Sequence, residues 1–182
     1  MFILLTVASL LAPAAADPRA SVECVISAWN AYDVERSRRC YAESAVALRG
    51  GERVALDWNA ERRYRAFDAA AHSRFGFEVL QSRESSVAFA LHETNDFLGA
   101  LGVEGVTVRW RYDVADGVIV AEELLKSDAA FPAVFREFSA WGRDRQPAGW
   151  TSVLDADGQV LFDGATAPHL IALAREWVRS KR

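Results

Sequence analysis

One acid and one imidazole, Glu122 and His92, stand out as groups able to move protons. Glu122 and Glu123 are neighbours in Val118 to Leu125, a segment with strand character, so their side chains fall on opposite faces. Glu122 takes the inner face, where desolvation raises a carboxyl pKa and suits it to proton transfer; Glu123 points outward. His92 is a candidate general base, imidazole being the side-chain type suited to proton transfer near neutral pH. Asp96, four residues further along the same expected strand, shares its face but is too far away to touch it. The histidines at 72, 92 and 169 fall in different elements without ligand spacing, so no metal site is expected. The sequence has no Gly-rich phosphate loop, serine nucleophile elbow or paired redox cysteines, so no cofactor is expected.

The elements that must position these groups are legible from hydrophobic period. Val22, Val25, Ile26, Trp29 and Tyr32 recur at helical steps, and Asp33 ends that helix and caps the next. Tyr41 to Leu48 passes into a short strand, and Arg49-Gly50-Gly51-Glu52 is a turn. A third helix is expected from Leu56 to Ala70. Its core stripe is Leu56, Ala60, Tyr64 and Phe67; Trp58, Arg62 and Arg65 lie on the other side, where an arginine can stack on the indole. The period then becomes 2. Strands follow around Phe75 to Leu80, Val87 to His92, Val106 to Asp113 and Val118 to Leu125, and Ala115-Asp116-Gly117 marks a hairpin. These four strands make an antiparallel meander. The tail is helical again: a helix capped by Asp128 carries Phe131, Val134, Phe135, Phe138 and Trp141. A short strand, Gln159 to Phe162, precedes a last helix from Thr166.

Met1 to Ala16 carries no charge, is apolar over Phe2 to Leu11, and ends in Ala14-Ala15-Ala16. This is the pattern of a signal peptide cut after Ala16, although no Lys or Arg precedes the apolar run. A periplasmic or secreted location is therefore expected, with no stable membrane span after cleavage. Such a location permits a disulfide. If two antiparallel helices turn near Tyr32-Asp33, Cys24 and Cys40 come side by side, and we expect them to be bonded rather than two buried thiols. What remains is the length of one ordinary domain, with six Trp and ten Phe for its core. The net charge of −4, without a basic tract, argues against a nucleic-acid partner.

The order of two helices in a hairpin, a third helix and a curved meander resembles the nuclear-transport-factor-2-like superfamily, including SnoaL-like domains. The residues carrying the likeness are Val25 to Asp33, Tyr41-Ala-Glu-Ser-Ala-Val46 and the hairpin Trp110 to Ile119. The resemblance implies an α+β cone over residues 19–128, a curved antiparallel sheet packed against the helical hairpin and third helix. Residues 129–182 form a C-terminal helical extension packed on it. It also implies a pocket between sheet and helices. Val25, Trp29, Tyr32, Tyr41 and Trp58 would line it from the helical side and the first strand. Val108, Trp110, Tyr112 and Leu124 would line it from the meander. Such pockets hold apolar, polyketide-like or steroid molecules. The positions matching the acid and base groups of steroid isomerases are Val25, Arg49 and Val108, which cannot do that chemistry. An Asp-Arg-Asp arrangement like that of limonene-epoxide-hydrolase-like members is not recognisable.

The expected function is binding of a small apolar molecule in an aromatic-lined pocket. An acid–base isomerase, cyclase or hydrolase using Glu122 and His92 is the alternative. A third is a structural or dimerising module whose outer sheet face, with Thr107, Arg109, Arg111 and Glu123, pairs two copies. Convergence of Glu122 with a second titratable side chain on one cavity favours the enzyme; a cavity filled by Trp and Phe favours the structural role.

Overall fold

The computed structural model describes residues 17–181. The signal peptide expected over residues 1–16 lies outside the described residues. Asp17 caps helix α1 (Pro18–Asn30) by accepting from the Arg19 amide, and Pro18 suits the first turn. Asp33 caps α2 (Val34–Arg38) in the same manner, so the helical hairpin is a long helix followed by little more than one turn. Tyr41, expected at the end of that second helix and the start of the strand, opens β1 (Tyr41–Arg49). The chain continues through β2 (Glu52–Ala55), α3 (Trp58–Ala70), β3 (Arg74–Arg83), β4 (Ser86–Thr94) and the short helix α4 (Asp96–Ala100). Strands β5 (Val106–Ala115) and β6 (Val118–Ser127) follow, then α5 (Ala130–Arg145), a 3-10 turn at Thr151–Val153 and α6 (Ala167–Ser180).

The six strands form one sheet in the order β2-β1-β6-β5-β4-β3. The meander β3 to β6 is antiparallel as expected, but the sheet is mixed: β1 returns from the helical hairpin to pair in parallel with β6. At the β5–β6 hairpin, Asp116 and Gly117 both take positive φ, 51° and 79°, the backbone that an Asp-Gly turn supplies. An extra residue in β6, Val120, interrupts the register between the Val114–Ile119 and Asp113–Ala121 pairs. This bulge resets the alternation, so Ile119 and Glu122, three residues apart, both face the helices.

Two cores result. The first joins α1 to the sheet through Val22, Val25, Ile26, Phe89, Tyr112 and Ile119. The second joins the end of α3 and α4 to the C-terminal helices, around Phe67, Phe97, Phe138, Leu170 and Trp177. Helix α3 therefore serves both.

Four local expectations are corrected. The inward face of α3 is turned from the expected one: Tyr64 is 50% exposed, whereas Arg65 and Asp68 are buried beside Phe67. Arg65 reaches inward because its guanidinium lies over the rings of Trp29, at 4.5 Å, and Phe75, at 5.1 Å. The arginine over Trp58 is Arg38, from α2. Asp96 is not on a strand: Asn95 caps α4 through the Leu98 amide, and Asp96 pairs with the exposed His72 at 2.8 Å. Gln159 to Phe162 makes a single bridge, Leu154 with Val160, rather than a strand, since no second strand is there to extend the ladder.

Candidate functional site

A cavity of about 270 Å³ opens between α3 and the inner face of β1, β5 and β6. Its walls come from five segments, of which α2 gives only Ser37. Helix α1 contributes Trp29; β1 contributes Tyr41, Ala47 and Arg49; the β2–α3 junction contributes Leu56, Asp57 and Trp58, followed by Glu61, Tyr64 and Arg65 on α3; the meander contributes Trp110 and Glu122. Asp57 fixes the entry of α3 by accepting from the Asn59 and Ala60 amides, both at 3.0 Å. That cap orients Trp58 and Glu61, one turn apart, toward the cavity.

Glu122 is the polar centre of this surface. The β6 bulge aims it inward, opposite Tyr112 in the ladder. The Tyr41 hydroxyl donates to its Oε2 at 2.9 Å, and the Tyr112 hydroxyl lies 3.4 Å from that of Tyr41. Burial raises the Glu122 pKa above its ordinary value; the Tyr41 bond and the Arg49 charge oppose the rise, and the charge of Glu61 adds to it. Burial also pushes both phenols well above their usual value, so they stay protonated as donors.

Glu61 is the other cavity carboxylate whose pKa burial raises, and hydrophobic spacing alone did not single it out. Its oxygen lies 3.3 Å from Arg65 Nε, and the other side of the same guanidinium meets Asp68 at 3.0 Å. Both contacts are close but off the N–H directions, so neither is an aligned hydrogen bond. Burial raises the Glu61 pKa, Arg65 pulls it down, Asp68 raises it and the Trp29 indole N–H lowers it. Glu61, Arg65 and Asp68 thus form an acid–Arg–acid cluster on one helix. It continues inward: the Ser73 hydroxyl donates to Asp68 at 2.9 Å and lies 3.3 Å from Glu93, which accepts from Asn95 at 2.7 Å. Burial, with the nearby Asp68 charge, raises Glu93 to about 6.

The remaining expected site residues are dispersed. Trp29, Tyr41, Trp58, Trp110 and Glu122 share the cavity. Tyr112 lies beneath it, fully buried. Val25 is core, and Val108 packs half-buried against that core. Tyr32 turns away and donates to the Ser73 carbonyl at 2.9 Å. Leu124 is 48% exposed, on the stretch from Leu124 to Ser127 that no helix covers. His92 is exposed, hydrogen-bonded to Thr107 at 3.0 Å, and does not line the cavity. Glu123 faces outward and pairs with Arg111 at 2.9 Å. Cys24 and Cys40 form a disulfide that ties α1 to the residue preceding Tyr41.

No protein-family model and no curated protein matches the sequence. Solved structures do resemble it. AclR of Streptomyces galilaeus superposes with a TM-score of 0.51 at 14% identity, covering 65% of this chain and 96% of AclR. IdmH of Streptomyces antibioticus gives 0.48 at 19% identity, over 65% of this chain and 98% of IdmH. An NTF2-like protein from Cytophaga hutchinsonii gives 0.45 at 10% identity, over 67% and 99%. At these identities the likeness concerns the fold alone, an α+β arrangement of a curved sheet packed against helices.

Proposed function

We propose that the protein binds a small, largely apolar molecule in the cavity beneath Trp29, Tyr41, Trp58 and Trp110, and that Glu122 carries a proton to or from it. One observation carries this: two carboxylates with raised pKa values, Glu122 and Glu61, line the same aromatic cavity. A binding-only module has no use for paired desolvated acids, whose burial is costly. The tethering of Glu122 by a protonated Tyr41 favours a defined orientation, which proton transfer needs and loose apolar binding does not.

We also propose that the chain is exported. The leader pattern of residues 1–16 and the Cys24–Cys40 bond support an oxidising compartment, and no helix among the described residues is long and apolar enough to cross a membrane.

Native mass spectrometry of protein purified from its own culture tests the binding. The wild-type chain is expected to carry a small apolar mass that Ala60→Phe, which fills the cavity wall, lacks. Bare protein in both cases, or the same mass on both, contradicts it.

A further inference from the structure

We infer that Glu61 is the base and Glu122 the acid of this cavity, with Arg65 as the residue that positions Glu61 and keeps it ionised. The inference rests on the proton chemistry proposed above and divides it between two groups.

The division follows from what each carboxylate touches. Glu61 has a guanidinium at 3.3 Å. Glu122 has a neutral phenol at 2.9 Å, and the cation whose charge opposes its protonation is Arg49, an exposed residue. A buried cation favours the ionised form of its partner far more than one neutral donor does. Of the acids on this cavity, Asp57 is spent on capping α3; the other two, one held beside a cation and one not, are pushed toward opposite protonation states. Charge counting points the same way. Arg65 is the one cation in contact with Glu61 and Asp68, and Glu93 lies next in the chain through Ser73. Three ionised carboxylates around one guanidinium would leave excess negative charge in a desolvated site. Glu93 is the member furthest from Arg65 along this chain of contacts, and burial with the Asp68 charge raises its pKa to about 6, so it does not compete for the guanidinium that Glu61 and Asp68 share.

Arg65 is itself fixed from several sides. Trp29 from α1 and Phe75 from β3 flank its guanidinium, Glu61 and Asp68 hold it from its own helix, and its side chain is 10% exposed. It therefore cannot swing away to follow a ligand, and its role is to place Glu61. The groups facing Glu61 are Arg65 and Asp68 on α3 and Trp29 on α1, with Glu122 on β6 and Tyr112 on β5 within electrostatic range. In the step this arrangement supports, Glu61 takes one proton from the substrate while Glu122 gives one to it. The substrate's formula and oxidation state are unchanged, so the product is an isomer. The two acids then exchange their protons with solvent.

The test is a carboxyl-¹³C NMR titration of the free protein labelled at glutamate, with signals assigned from Glu61→Gln and Glu122→Gln. Glu61 is expected to titrate at lower pH than Glu122. In Arg65→Met the Glu61 midpoint is expected to move to higher pH by at least one pH unit; in Arg65→Lys the wild-type order is expected to survive. Glu122 titrating before Glu61 in the wild type overturns the assignment, and that result is available even if Arg65→Met does not fold. An unmoved Glu61 midpoint in a folded Arg65→Met protein overturns the role of Arg65. No ligand is present, so these outcomes are independent of whether the cavity binds a small molecule.

Discussion

Tyr41 and Glu122 meet across the one parallel seam of the sheet, the phenol of β1 donating to the carboxylate of β6 at 2.9 Å. The bond works against burial, holding the Glu122 pKa below where desolvation alone would put it. Tyr41→Phe removes the donor and keeps the ring. The Glu122 titration midpoint is therefore expected to rise further, read by carboxyl ¹³C NMR, with a stability loss of about 1–2 kcal/mol for the lost buried bond. A midpoint that falls would show that Tyr41 does not act on the ionised form.

Glu93 gives the protein a pH-dependent stability of definite sign. Its folded pKa is about 6, against 4.5 for the ordinary carboxyl, so between these values the folded state holds more proton than the unfolded one. Stability must then fall as pH rises through 4.5 to 6, by about 2 kcal/mol from this group. Urea unfolding across that range should show the decline, and Glu93→Gln should flatten it. An unchanged slope in the variant would refute the assignment to Glu93.

The Cys24–Cys40 bond closes a loop of 16 residues. Cross-links of that size stabilise by roughly 3 kcal/mol. A Cys24→Ser, Cys40→Ser double variant is expected to unfold at correspondingly lower urea concentration. A reductant should lower the wild-type midpoint and leave the variant unmoved.

Gly142, on α5, has no room for a side chain. A Cβ there would run into the ring of Trp150, which is itself buried in the second core. Gly142→Ala should therefore destabilise by about 1–3 kcal/mol through overpacking, despite the better helix propensity of alanine. Differential scanning calorimetry would show a lower Tm. A rise in Tm would mean that Trp150 moves freely.

The sequence carried the frame of the fold because its cause is local. The stripe from Val22 to Trp29, the Asp33 cap and the Asp116-Gly117 turn each act over a few residues, and all three stand where expected. The cysteine pairing followed from the same local geometry. What the sequence hid depends on long-range partners. Counting hydrophobic spacing turned α3 the wrong way because Arg65 is charged, yet the rings of Trp29 and Phe75 draw it inward. Glu61 was missed with it; the spacing Glu61, Arg65, Asp68 on a helix that must touch the sheet was the available signal. The parallel pairing of β1 with β6 left no mark in either strand, and it is what brings Tyr41 to Glu122. His92 looked competent by residue type alone, and its strand face leads to Thr107 and solvent instead.

Proton transfer by Glu122 is tested most directly by deuterium exchange into a small apolar ketone. With 2-tetralone in D₂O as the probe, the wild-type protein is expected to accelerate incorporation next to the carbonyl above the buffer rate, followed by ¹H NMR. Glu61→Gln, which removes the base, is expected to fall to the buffer rate, and Glu122→Gln, which removes the acid, to lose most of the acceleration, each while still quenching tryptophan fluorescence on binding the ketone. Exchange at the buffer rate with wild-type protein that binds the probe, or equal acceleration by Glu122→Gln, would contradict the account.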